Sequence, residues 1–202
     1  MNSKIATSQL NALRKYSAGM RLAAEEWDEP WKTLIATALS AQSRDEVTLI
    51  IASELFKKYP SVERLARAKY SDVLGVLKSL NYNRTKAKHI IACAKELVEK
   101  YDGKVPHDFN ALVELPGVGR KTANVFLSEM GYSAIGVDTH LAYCAQRLGW
   151  TMNKNPKKIE LDLQKLFPKR MWGKLNRALV RFGKTYTSRR VKNEVLDKIK
   201  KL

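Results

Sequence analysis

Cysteine is scarce in this 202-residue chain, with only Cys93 and Cys144 present. Two thiols cannot complete a four-cysteine zinc site or a four-thiolate iron–sulfur cluster. They suit a reducing, intracellular compartment, with both side chains read as small buried groups. Long apolar runs are also missing. The longest, around Leu49 to Ala52, is far too short to cross a bilayer. The first sixteen residues alternate polar and apolar types, so no secretory signal is evident. Glycine (10) and proline (6) are few, and 45% of residues are hydrophobic, which excludes general disorder. Acidic residues are outnumbered: 20 Asp plus Glu stand against 37 Lys plus Arg, a net charge of +17. Such an excess favours a polyanionic partner, because each cation near a phosphate releases condensed counterions. Ribosomal proteins, tRNA enzymes and DNA repair proteins share that property. A basic protein with no nucleic-acid role is the alternative.

Where apolar residues do occur, their spacing is helical. Leu34, Ile35, Ala38 and Leu39 share one face of a helix expected to end near Gln42. Ala87, Ile90, Ile91, Ala94, Leu97 and Val98 make the clearest stripe. Val73, Leu74 and Leu77 follow Ser71, which has the chemistry of an N-cap. Trp172, Leu175, Leu179 and Phe182 mark a helix ending near Gly183. Val191, Val195, Leu196 and Ile199 mark a last one, and Lys198 to Lys201 read as its solvated face. Two-residue alternation is scarce, so a sheet is not expected. The reading is an all-α protein of roughly ten helices, with a length that suits one large domain or two small ones around a shared cleft.

The segment Leu115-Pro116-Gly117-Val118-Gly119-Arg120-Lys121-Thr122-Ala123-Asn124 breaks this pattern. Its Pro-Gly pair stops one helix near Glu114 or Leu115, and a new stripe, Val118, Thr122, Val125, Phe126 and Met130, begins at once. Two helices joined by a short Gly-x-Gly hairpin result. Glycine tolerates positive φ and lets backbone approach another surface closely. The N–H groups that open the second helix attract an anion, and beside Arg120 a DNA phosphate fits.

A helix–hairpin–helix binds without doing chemistry, so catalysis needs further groups. Lys121 lies in the first turn of the second helix, where the helix dipole and Arg120 are expected to lower its pKa. A neutral amine is a nucleophile toward a sugar C1′, and a Schiff base opens the way to strand cleavage. The plainer alternative is a solvated lysine or a phosphate contact. In Gly136-Val137-Asp138-Thr139-His140, Asp138 reads as the N-cap of the next helix. A helix of about 16 Å and a return segment of up to about 20 Å let the chain bring Asp138 back toward Lys121. The carboxylate could stabilise a cationic sugar or move protons; pure capping is the alternative.

With these residues in place, the chain resembles the helix–hairpin–helix DNA glycosylases of the endonuclease III type. Trp31 to Gln42 resembles the family's early helix, Lys86-Ala87-Lys88-His89-Ile90 the helix after its wedge loop, and Gly103-Lys104-Val105-Pro106 also fits. The match is continuous from about residue 25 to 150. The resemblance implies an all-α fold of two helical lobes with the hairpin at a DNA cleft. One lobe is a six-helix barrel over residues 23–133, and the other combines residues 1–22 and 134–202. It implies Lys121 as the Schiff-base lysine and Asp138 as the catalytic aspartate. The activity implied is that of a bifunctional glycosylase and β-elimination lyase, with oxidised pyrimidines as the leading lesion class. Uracil or mismatched thymine, oxidised guanine and alkylated purine stay open as alternatives, as does a DNA-binding module without catalysis.

The same resemblance implies a monomer acting on double-stranded DNA that carries a damaged base or abasic site, DNA-associated inside the cell, with no membrane. Gln42 matches a residue that fills the gap left by a flipped nucleotide, and Tyr82 falls in the wedge loop; ordinary helix-end and core roles are the alternatives. Further DNA contacts are expected from Arg84, Gly117, Val118, Gly119, Arg120, His140, Lys184, Arg189 and Arg190. Two features depart from the family. The four cluster cysteines are absent from the region Arg181 to Arg190, so no iron–sulfur cluster and no other metal or cofactor is expected. Lys184, Arg189, Arg190 and Lys192 are expected to supply the phosphate contacts of the missing loop. The wedge loop, Asn81-Tyr82-Asn83-Arg84, lacks the usual glycine, which leaves lesion preference open.

Overall fold

A computed structural model of the chain describes residues 2–17 and 19–202. Among these the secondary structure is twelve α-helices and one 3-10 turn, with no strand. The all-α expectation holds. The count exceeds ten because pieces such as α4 (Val62–Ala66) are too short to give a periodic signal. No helix among the described residues is long and apolar enough to cross a membrane. The chain forms two compact units, one of Met1–Met20 with Gly131–Leu202 and the other of Arg21–Met130.

The Arg21–Met130 unit holds α2 (Pro30–Leu39), α3 (Asp45–Lys58), α4, α5 (Tyr70–Leu77), α6 (Asn83–Tyr101), α7 (Phe109–Glu114) and α8 (Arg120–Glu129). Helix α2 is buried on nearly every side, from Trp31 through Leu34, Ile35 and Ala36 to Leu39, and packs on α3, α6 and α8. Its Pro30 sits in the first turn, where a missing N–H costs nothing. Leu97, Ile90 and Ala94 of the α6 stripe are buried as their spacing predicts. In the other unit are α1 (Ser3–Lys15), α9 (Thr139–Arg147), α10 (Pro156–Leu166), the 3-10 turn Lys169–Met171, α11 (Trp172–Thr185) and α12 (Arg189–Lys200). Its core joins Leu10 and Leu13 to Leu141, Leu148, Leu175, Leu179, Phe182 and Leu196. Full burial of such side chains contributes roughly 1.5–3 kcal/mol each.

Three boundaries differ from expectation. Helix α2 ends at Leu39, and Gln42 lies beyond it in a turn with φ +54°. Helix α5 begins at Tyr70, so Ser71 is inside the first turn and the extended Lys69 is the cap residue. The N–H of Val73 reaches back to Lys69 O (3.2 Å), which starts the helix ahead of the serine. Helix α11 passes through Gly183 to Thr185, whose Oγ1 donates to Arg181 O (2.9 Å).

Candidate active site and nucleic-acid interface

The hairpin is built from a turn that its residues dictate. Helix α7 ends at Glu114 with Leu115 as its extended C-cap, and Val118 N–H closes back onto Leu115 O at 3.0 Å. Pro116 and Gly117 occupy the middle of that turn, with Gly117 at φ +77°, the pattern of a type II turn. Gly117 also lies against α6: a Cβ there would stand 2.8 Å from His89 Cβ. Val118 points into the core at 4% exposure. Its side chain faces inward, and its N–H closes the turn.

Gly119 differs from Gly117. Its φ of −88° is open to any residue, and a Cβ there would meet nothing within 4 Å. It is the N-cap of α8 and has no side chain with which to cap. What the glycine preserves is open space above the helix start, with the first-turn N–H groups beneath it. Arg120 lies over the Phe109 ring, 4.7 Å from its centroid. Lys121 follows in the first turn of α8, half-buried.

In the same unit, Gln42 and Tyr82 are tied to one another's surroundings. Both are exposed, Tyr82 at 65%, and both hold left-handed backbone, φ +54° and +56°. For side chains of this kind that conformation costs on the order of 1–2 kcal/mol per residue, so the neighbouring structure must hold it. Asn81 Nδ2 donates to Gln42 O at 2.7 Å. Lys86, one turn into α6, donates to Leu39 O at 2.8 Å and Ser43 Oγ at 2.9 Å. Its ammonium is buried, and desolvation pushes its pKa down to about 8. Arg84 is exposed in the first turn of α6.

In the other unit, Asp138 is the N-cap of α9, its Oδ1 accepting from Leu141 N–H at 2.8 Å. Its second oxygen takes no hydrogen bond among the described residues. The approach to Asp138 is fixed by buried Asn176 of α11. Its Oδ1 accepts from Gly136 N–H (3.0 Å) and its Nδ2 donates to Ala134 O (3.3 Å). His140 is seated against Gly183, where a Cβ would lie 2.5 Å from its ring. A cavity of about 350 Å³ is lined by Thr139, His140, Tyr143, Thr187, Arg189 and Lys192.

The four expected cations differ in their surroundings. Arg189 is exposed, with its guanidinium 5.6 Å from the centre of the Tyr143 ring. Arg190 pairs with Glu194 at 3.0 Å on the surface. Lys192 donates to Gly183 O at 3.0 Å, and Lys184 is half-buried at the end of α11.

The two cysteines sit in helix interiors, Cys93 on α6 and Cys144 on α9, and burial pushes both thiols up to about 12. No group of three or more potential metal ligands occurs among the described residues. A four-thiolate cluster does not fit this donor set.

Lys86, Asn81, His89 and Asn176 had no assigned role at the level of sequence. Lys86 left a trace there, since it stands four residues before Ile90 on the buried stripe. A lysine on an apolar face calls for a partner. The partners of the other three lie far along the chain, and local pattern carries no signal of them.

Comparison with known proteins gives a consistent result. Residues 35–169 match the HhH-GPD superfamily of base excision DNA repair proteins. The chain is 41% identical over 158 residues to endonuclease III of Thermotoga maritima, covering 77% of this chain and 74% of that one. It is 36% identical over 187 residues to endonuclease III of Synechocystis sp., covering 92% and 85%. Among solved structures it is similar to a trapped endonuclease III–DNA covalent intermediate, an estranged-adenine complex. The TM-score is 0.85 at 31% identity over 93% of this chain and 89% of that one.

Proposed function

Because the chain belongs to the HhH-GPD superfamily of base excision DNA repair proteins, in its endonuclease III family, we propose that Lys121 and Asp138 carry its bifunctional DNA glycosylase and abasic-site lyase chemistry. The observation that carries this is the place of Lys121. It stands two residues beyond the open Gly119, at the start of the hairpin helix, in a fold similar to a protein caught covalently on DNA. The neutral amine attacks C1′ of the damaged nucleotide. The C1′–N bond breaks, and its electron pair leaves with the base, which takes up a proton. O4′ then leaves C1′ as the amine becomes a Schiff base, and the ring oxygen receives a proton the amine sheds. Loss of a C2′ proton expels the 3′ phosphate and cuts the strand; water releases the sugar and restores the lysine. Asp138 carries protons between these steps and offsets positive charge on the sugar. Its capping bond to α9 leaves one oxygen for that work.

The proposed substrate is double-stranded DNA with an oxidised pyrimidine, bound by one copy of the chain. The reading is supported by identity to endonuclease III enzymes across most of their length. Gln42 and Tyr82 fill and hold open the duplex where the base is extruded. Arg84, the hairpin backbone at Gly117 to Arg120, His140, Lys184 and Arg189 contact phosphates. Catalysis proceeds without an iron–sulfur cluster, and the segment around Thr187 to Arg190 supplies phosphate contacts in place of a cluster loop.

Borohydride trapping on a panel of lesion duplexes tests the proposal. Wild type should give a covalent adduct on an oxidised-pyrimidine duplex, and Lys121→Ala should give none. Asp138→Asn should slow excision by about 10²-fold or more. Adducts confined to uracil, oxidised guanine or alkylated purine would reassign the lesion. No adduct on any lesion or abasic site would leave a DNA-binding module. A chelator should leave the rate unchanged.

A further inference from the structure

The buried lysine on α6 takes no part in the chemistry above, yet it occupies a structural junction. Lys86 Nζ grips both ends of the turn that carries Gln42, at Leu39 O before it and Ser43 Oγ after it. Leu39 is the last residue of α2, where helix carbonyls gather partial negative charge and favour a cation. From the other side, the O of Tyr82 accepts from Lys86 N–H at 2.9 Å, so the same residue anchors the backbone of the wedge loop. Asn81 adds the direct tie to Gln42 O. Among the described residues no carboxylate pairs with Lys86. A charge buried with only a carbonyl and a hydroxyl is costly, and a methionine would fill the space without that cost. Stability alone therefore does not account for it.

We infer that Lys86 is a positioning residue for duplex opening, holding the Gln42 turn and the Tyr82 loop in one register so that both side chains are presented to the gap together. Lys86 itself does not touch DNA. The inference rests on reading Gln42 and Tyr82 as the residues that occupy the opened duplex. Both retain strained backbone while exposed, and a strained, exposed residue needs a nearby constraint. Lys86 and Asn81 are the constraints between the two segments. Without them each turn can relax separately, and the two side chains no longer arrive as a pair.

The test uses a duplex with a tetrahydrofuran abasic analogue and 2-aminopurine opposite it, whose fluorescence rises when it is unstacked. Lys86→Met should bind this duplex within about twofold of wild type but give no more than roughly a third of the fluorescence rise. Excision from a paired lesion should fall about tenfold, while β-elimination on a single-stranded abasic oligonucleotide stays within about twofold. In a Gln42→Ala/Tyr82→Ala background, Lys86→Met should add nothing further. If that background alone leaves the fluorescence of wild type intact, the gap-filling reading of Gln42 and Tyr82 fails. If the background abolishes the signal while Lys86→Met preserves it, or adds its full effect on excision, the positioning role is overturned. Should Lys86→Met not fold, Ser43→Ala/Asn81→Ala removes ties from both segments while keeping the lysine and its bond to Leu39 O. An unchanged signal in that folded variant overturns the inference too.

Discussion

Lys86 carries its charge in a buried position, and that has a consequence for stability against pH. Its folded pKa is pushed down to about 8, while the unfolded chain keeps the proton to near the ordinary 10.5. Between those values the unfolded state binds more protons, so the contribution of this group to stability rises with pH. Below about pH 8 both states are charged and the burial penalty is felt in full. Urea unfolding of wild type and Lys86→Met should thus give a stability difference that moves in favour of wild type from pH 8 to 10. It should be flat from pH 6 to 7. A difference constant across the whole range would refute this. The cysteines make a second residue-level prediction. With both thiols pushed up to about 12, on the order of one in 10⁴ is ionised at pH 8. At Cys144, burial dominates and Asp138 pushes the same way, against Lys192. The folded protein should resist iodoacetamide, and two equivalents should react in denaturant. Rapid labelling of either thiol in native protein would contradict its burial.

At the scale of the element, the two hairpin glycines differ in their surroundings, Gly117 packed against His89 and Gly119 facing open space. Gly117→Ala forces a side chain onto φ +77° and within 2.8 Å of His89 Cβ. It should lower stability by roughly 1–3 kcal/mol and shift the urea midpoint down. Gly119→Ala enters open space at an ordinary φ, so stability should stay within about 0.5 kcal/mol. Its DNA affinity should nonetheless drop about tenfold, because the methyl group stands where a phosphate must approach the helix N-terminus. Equal unfolding midpoints for the two variants, or normal DNA binding by Gly119→Ala, would show the assignment to be mistaken. The hairpin was legible because Pro-Gly and the restart of apolar periodicity are adjacent in sequence. That one glycine serves the turn and the other serves open space was not legible. It depends on His89, 28 positions before Gly117 and on another helix.

Across the whole molecule, the +17 charge predicts DNA binding that weakens steeply with salt, by about 0.9 in the log–log slope for each phosphate contact. The cations near α12 should not contribute alike. Arg189→Gln should lower the slope by about one, since its guanidinium is exposed at the rim of the Thr139–Lys192 cavity. Lys192→Gln should act mainly on stability, because its ammonium holds Gly183 O. Binding measured from 50 to 300 mM salt, alongside urea midpoints, separates the two. Equal slope changes from both variants would remove the distinction.

The sequence by itself determined the all-helical class, the hairpin, the candidate Lys121 and Asp138 pair, and the family resemblance. The helical class, the hairpin and the helix-start positions of Lys121 and Asp138 rest on residues within a turn or two of one another, where periodicity, capping and Pro-Gly chemistry act; the resemblance rests on the order of such motifs from about residue 25 to 150. Only the tertiary structure decided that Gln42 leaves its helix for a left-handed turn. The same holds for the buried ammonium of Lys86, held by residues 43 and 47 positions away, and for the seat of His140 on Gly183. Those facts depend on which distant carbonyl, hydroxyl or ring is brought alongside. Local pattern carries that information only as an anomaly, such as a lysine on an apolar stripe.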